Sequence, residues 1–105
     1  MPYFKELPLK ILAVGLTGRY IHGASMTVGE VTIKAGSKLA LHQHPHEQIT
    51  MIIKGELEMT IGQEVLTLKE GMVHVIPSHT LHGAVAKVDC TVIDVFYPVR
   101  EDYRQ

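Results

Sequence analysis

The chain has 105 residues, 46% of them hydrophobic and 20% charged, and its formal net charge is −1. This balance excludes a disordered, self-repelling segment, and the dispersed Lys and Arg residues leave no basic footprint for nucleic acid. The length suits one domain, 1–105, built around a single small core, with no linker, internal repeat or low-complexity stretch.

Glycines and prolines punctuate short runs of strand-forming residues, and no long run keeps the apolar period of a helix. Strands are expected in chain order at Leu9 to Val14, Tyr20 to His22, Met26 to Lys34, Leu39 to Gln43 and Gln48 to Lys54. Five more follow at Glu56 to Ile61, Glu64 to Leu68, Val73 to Ile76, His82 to Ala86 and Thr91 to Tyr97. The fold class is therefore all-β. The single cysteine, Cys90, rules out an intrachain disulfide framework and reads as a small buried hydrophobe. No charged-then-apolar leader and no long apolar run is present, so the expectation is a cytoplasmic protein without a membrane partner.

The segment His42-Gln43-His44-Pro45-His46-Glu47-Gln48 carries the chemistry. On an extended strand, alternate side chains share a face, so His42 and His44 project to the same side and can reach one ion. Pro45, His46 and Glu47 supply a turn, after which Gln48 opens the next strand with its carboxamide oxygen able to face the same ion. His82 is the third suitably placed histidine. Imidazole nitrogens without thiolates suit a divalent transition metal, leaving Zn, Ni, Fe and Mn open, and argue against a zinc-finger type of site. Gln48 also reads as a structural hydrogen-bonding residue beside a three-histidine site. His46 belongs to the turn, His74 reads as an ordinary strand histidine, and His22 and His79 are placed near a pocket entrance.

Alternation has a second consequence. If Gln48 points inward, so do Thr50 and Ile52, which leaves Ile49, Met51 and Ile53 on the outer face. Such a row needs cover, from another layer of the same chain or from a partner subunit.

Gly36, five residues, His42-Gln43-His44, three residues, Gln48, six residues and Gly55 resemble the first cupin motif, with glutamine where glutamate is usual. Gly71, five residues, Pro77, Ser78, His79, two residues and His82 resemble the second, with His79 at the usual glycine and Ala86 where asparagine often stands. His79 falls in a turn, and histidine is one of the few residues besides glycine enriched at positive φ. The resemblance implies a jelly-roll barrel, the double-stranded β-helix, and, since cupins commonly pair through sheet faces, a homodimer.

The carboxyl end, Asp94-Val95-Phe96-Tyr97-Pro98-Val99-Arg100-Glu101-Asp102-Tyr103, resembles the ending of the KdgF-like pectin-degradation cupins, with Tyr97 in place of their serine. His42 to Gln48 resembles their His-x-His-Pro-His-Glu-Gln element. This implies an enzyme that opens 4,5-unsaturated monouronates to the linear keto form, acting on a small anionic sugar-like substrate. Asp94 and Phe96 share a face by alternation, which the resemblance turns into the barrel. Asp94 then becomes the candidate general acid or base, Phe96 a wall of the pocket, and Arg100 a clamp for the substrate carboxylate; the alternatives are a structural hydrogen-bond acceptor at a strand end for Asp94 and a surface ion pair with Asp102 for Arg100. A three-histidine centre serves a cupin dioxygenase equally well, and a non-enzymatic ligand-binding barrel is a further alternative.

Overall fold

Ten strands and two short 3-10 turns order the residues 2–104 that the computed structural model describes. The strands are β1 (Leu9–Ala13), β2 (Leu16–His22), β3 (Thr27–Ile33), β4 (Lys38–His42), β5 (Glu47–Lys54), β6 (Glu56–Ile61), β7 (Glu64–Lys69), β8 (Val73–Ile76), β9 (His82–Ala86) and β10 (Cys90–Tyr97). All ten expected strands are present. The main departure is β2, which begins at Leu16 rather than Tyr20 and runs through Gly18. That glycine is accommodated because the Tyr20 ring lies over it: a Cβ there would sit 2.6 Å from the ring. Val14 leaves the first strand for the tight turn to β2 and is exposed.

A six-stranded sheet in the order β1-β2-β3-β10-β5-β8 faces a four-stranded sheet in the order β4-β9-β6-β7. Every pairing is antiparallel, as the jelly-roll reading requires. The inner faces enclose Leu16, Val31, Ile52, Leu57, Ile76 and Val92, each almost wholly buried. At about 2 kcal/mol for fully burying a large aliphatic side chain, these alternating positions account for much of the driving force. Cys90 is buried among them. Its neighbour Gly55 has φ +95°, and a Cβ there would lie 2.5 Å from the Asp89 carbonyl oxygen. No helix among the described residues is long and apolar enough to cross a membrane.

Central strand β10, paired with β3 on one side and β5 on the other, positions the site. Its register with β5 sets Val92 opposite Ile52, Asp94 opposite Thr50 and Phe96 opposite Gln48. All six side chains point inward from neighbouring strands.

The outer face of the same sheet is apolar. Cross-strand register aligns Ile21, Val28, Val95, Ile49 and Val75 in one row across β2, β3, β10, β5 and β8. Ile93, Met51 and Val73 form the row beside it. Ile49, Ile53, Val73 and Val75 are exposed, so the described chain adds no layer over them. Five strands at about 4.8 Å spacing make the row roughly 20 Å wide, a span suited to face-to-face sheet packing. Sedimentation over a wide concentration range is expected to give a homodimer that Val75→Lys dissociates; a monomer at every concentration would remove this assembly.

Candidate metal centre

Strands β4 and β9 are neighbours, and their register sets His42 opposite His82 with ring centroids 4.2 Å apart. A register shift between Leu39 and His42 marks an irregularity in β4 just before the first ligand candidate, a feature that re-aims side chains. His44 lies past the end of β4 yet is buried, its ring 4.9 Å from His82 and 5.7 Å from His42. The connection is pinned from the opposite loop, where the His79 amide donates to the His44 carbonyl at 2.8 Å. His79 holds φ +60°, as its place in a turn suggested. One ring nitrogen from each of His42, His44 and His82 lies within 4.8 Å of the others.

Each ring is oriented by a main-chain carbonyl. Nδ1 of His42 is 2.9 Å from the Ala40 oxygen, Nδ1 of His44 is 3.0 Å from the His46 oxygen, and Nδ1 of His82 is 2.8 Å from the Thr80 oxygen. A carbonyl only accepts, so Nδ1 carries the proton in each ring and Nε2 presents a lone pair. Burial, the largest influence on both, pushes His44 down to about 4 and lowers His82, which keeps these imidazoles neutral near physiological pH. His82 Nε2 is buried without a hydrogen-bond partner. An orphaned acceptor beside two more imidazoles is costly unless a cation completes it, so the donor set fits a divalent transition metal.

Gln48 is inward and buried, with Oε1 3.1 Å from His44 Nε2. A hydrogen-bonded chain fixes that orientation. Gln48 Nε2 donates to Thr50 Oγ1 at 2.9 Å, and Thr50 Oγ1 donates to Asp94 Oδ1 at 2.8 Å. Because the amide nitrogen is committed to Thr50, the amide oxygen must face the histidines. Two acceptors 3.1 Å apart again call for a cation between them, which places Gln48 with the three imidazoles as a possible fourth donor.

Asp94 occupies the far end of this chain. Burial drives its carboxyl up to about 6, against the opposing hydrogen bonds from Thr50 and Gln48 and the nearby Arg100 charge. Phe96 is buried with its ring 5.7 Å from His44. Arg100 is also buried, its guanidinium 4.7 Å from the Phe96 ring centroid and 3.8 Å from that of Tyr103. Its Nε donates to Asp102 Oδ1 at 3.0 Å and its Nη2 to Oδ2 at 2.7 Å. That side-on edge is the one a substrate carboxylate would use for the expected bidentate clamp, and Asp102 fills it. The edge bearing Nη1 is not used by Asp102.

One cavity of about 270 Å³ is lined by His42, Gln48, His82, Thr50, Asp94, Phe96 and Arg100, above an apolar floor that includes Leu57 and Val92. Of the expected site residues, only His44 is not part of this lining; it stands beside His42, His82 and Phe96. Outside the cavity, His22 lines a neighbouring groove and bonds Thr27, and His46 stays in its turn beside His44. Reading the residues alone did not reveal the linking role of Thr50, although its inward direction was visible, nor the contribution of Lys10, Tyr20 and Tyr103 to the cavity wall.

The family model for the cupin domain matches residues 29–96. The chain belongs to the cupins. No curated protein matches it by sequence. Among solved structures it is similar to KdgF from a Halomonas species, at 32% identity and TM-score 0.87, covering 95% of this chain and 94% of that one. An RmlC-like cupin from Shewanella frigidimarina superposes with TM-score 0.91 at 23% identity, covering 98% and 94% of the two chains. Salicylate 1,2-dioxygenase from Pseudoaminobacter salicylatoxidans shares the fold, with TM-score 0.78 at 15% identity over 82% of this cupin and 28% of that chain.

Metal analysis of purified variants should separate the roles. His44→Ala and His82→Ala are expected to lose bound metal, whereas Asp94→Asn retains it; equal loss in all three would contradict the division. Stability gives an independent check on Asp94. Its folded-state pKa lies above the unfolded value, so its contribution is full below about pH 4 and is lost as pH rises through about 6. Metal-free Asp94→Asn is therefore expected to exceed the parent by up to about 3 kcal/mol above that range, with the gap closing in acid. Chemical denaturation at several pH values measures it.

Proposed function

We propose that this cupin is a metal-dependent, non-redox enzyme that opens 4,5-unsaturated monouronates to their linear keto form. The observation that carries the reading is a carboxyl group that lines the cavity of a three-imidazole centre and is joined to it through Thr50 and Gln48, in surroundings that push its pKa up to about 6. The reaction is an isomerisation. A proton leaves the anomeric hydroxyl, the bond between the anomeric carbon and the ring oxygen breaks with its electron pair going to oxygen, and the resulting enolate gains a proton at the alkene carbon remote from the carboxylate to give the ketone. One acid/base group that releases and takes a proton near pH 6 can serve both transfers.

Asp94 suits that work because its ionised and neutral forms are both accessible, and Thr50 holds its carboxyl in place through either. Phe96 forms the apolar wall beside His44, restricting water near the reacting atoms. Arg100 offers its free edge to substrate oxygens, held rigid by Asp102 and by the Phe96 and Tyr103 rings. A divalent ion held by His42, His44 and His82, with Gln48 beside them, would supply Lewis-acid stabilisation of negative charge developing on substrate oxygen. These protein donors are all neutral, so a bound ion keeps its full charge and favours an anionic ligand. A cavity of about 270 Å³ also suits a single sugar ring. The likeness to Halomonas KdgF at 32% identity supports the same assignment.

The test follows the loss of conjugated-alkene absorbance for unsaturated monomers derived from pectin and alginate. Metal-loaded protein is expected to accelerate the loss, while stripped protein and metal-loaded Asp94→Asn give only the spontaneous rate. No acceleration with any divalent ion would sink the reading, and turnover that consumes oxygen would move the protein to the oxygenase class.

A further inference from the structure

The cavity carries few full charges. Besides its histidines, the charged side chains on its wall are Asp94, Arg100 and Lys10. Arg100 is closed in a two-bond pair with Asp102, so the pair is close to neutral and exerts little net attraction on an incoming anion. Lys10 is different. Among the described residues it makes no ion pair, and it is only half-buried.

Its placement follows from the strand register. Lys10 lies on edge strand β1 between outward Leu9 and Ile11, so it shares the inward face with Leu12. Directly opposite on β2 is Gly18, which has no side chain to block the lysine stem. Gly18 and Gly29 also make room for the Tyr20 ring, since a Cβ on Gly29 would lie 2.3 Å from it. Tyr20 supports Tyr103 at a centroid separation of 4.8 Å. Tyr103 in turn meets Arg100 at 3.8 Å and Lys10 at 5.4 Å, so the two cations are gathered about one aromatic ring. A neighbouring groove of about 480 Å³ shares Lys10, Ile11, Tyr20 and Tyr103 with the cavity and also contains Arg104, and no acidic residue lines it. Lys10 therefore stands where the groove meets the metal cavity.

We propose that Lys10 is a specificity residue for a carboxylate-bearing ligand, adding to the charge of a bound ion the side-chain positive charge that the Arg100–Asp102 pair lacks. In this division Arg100 is a rigid hydrogen-bonding wall and Lys10 strengthens the preference for anionic sugars over neutral ones. The ligand class rests on the ring-opening reading, but the selectivity does not require turnover.

Equilibrium titration of the metal-loaded protein with galacturonate and with galactose tests it without chemistry. The parent is expected to prefer galacturonate. Lys10→Met keeps most of the aliphatic stem and is expected to weaken galacturonate about tenfold while leaving galactose unchanged, and Lys10→Arg is expected to restore the preference. Added salt should erode the preference in the parent more than in Lys10→Met. The proposal is overturned if Lys10→Met binds galacturonate as the parent does, if it weakens both sugars equally, or if the parent shows no preference. Circular dichroism and metal content, unchanged in Lys10→Met, separate this from a folding defect. With the unsaturated monouronate, KM should rise with kcat nearly constant. Preference without any turnover would remove the ring-opening function and leave the role of Lys10 standing.

Discussion

In a barrel of this size the inward side chains of the strands must supply both the hydrophobic core and the site. The register between β5 and β10 divides that interior by depth. Ile52 and Val92 form the floor, Thr50 and Asp94 the next level, and Gln48 and Phe96 the level beside the histidines. An acid two residues above a buried valine cannot be solvated like a surface carboxylate, and its affinity for a proton rises accordingly. Asp94 thus weakens the fold when ionised, and the same burial gives it a useful proton affinity. The single hydroxyl of Thr50 matters in this setting because it satisfies the carboxyl and fixes the amide of Gln48 at once.

The strands and the metal-facing histidines were legible because each follows from a local pattern. Alternation in 48–53 separates Gln48, Thr50 and Ile52 from Ile49, Met51 and Ile53 without knowledge of any partner strand, and the structure buries and exposes them accordingly. The His42–His44 spacing similarly survives even though His44 lies beyond the strand end, because the connection is tied to the loop at His79. His79 itself was readable as a turn residue from its place in the second motif.

What was not legible depends on segments far apart in sequence. The pairing of Arg100 with Asp102 was readable as an alternative to the clamp, but the burial of that guanidinium against Phe96 and Tyr103 depends on the path of the chain after β10. That path also brings Tyr103 onto Tyr20, and so joins the last described turn to the first strands. Lys10 gave no signal because its inward direction matters only once β1 is known to edge the sheet that carries the cavity. Likewise, the early start of β2 follows from a tyrosine ring covering a glycine, a contact with no periodic signature.

The three imidazoles take their orientation from the carbonyls of Ala40, His46 and Thr80, each two residues away in the same chain segment. No side chain of the cavity wall participates in those bonds. Substitutions at wall residues that touch none of the three rings, such as Lys10, can therefore accumulate without breaking those bonds, which uncouples ligand recognition from the orientation of the imidazoles. A lineage built on this arrangement can drift among ligands one wall residue at a time, keeping the same ring orientation at every step.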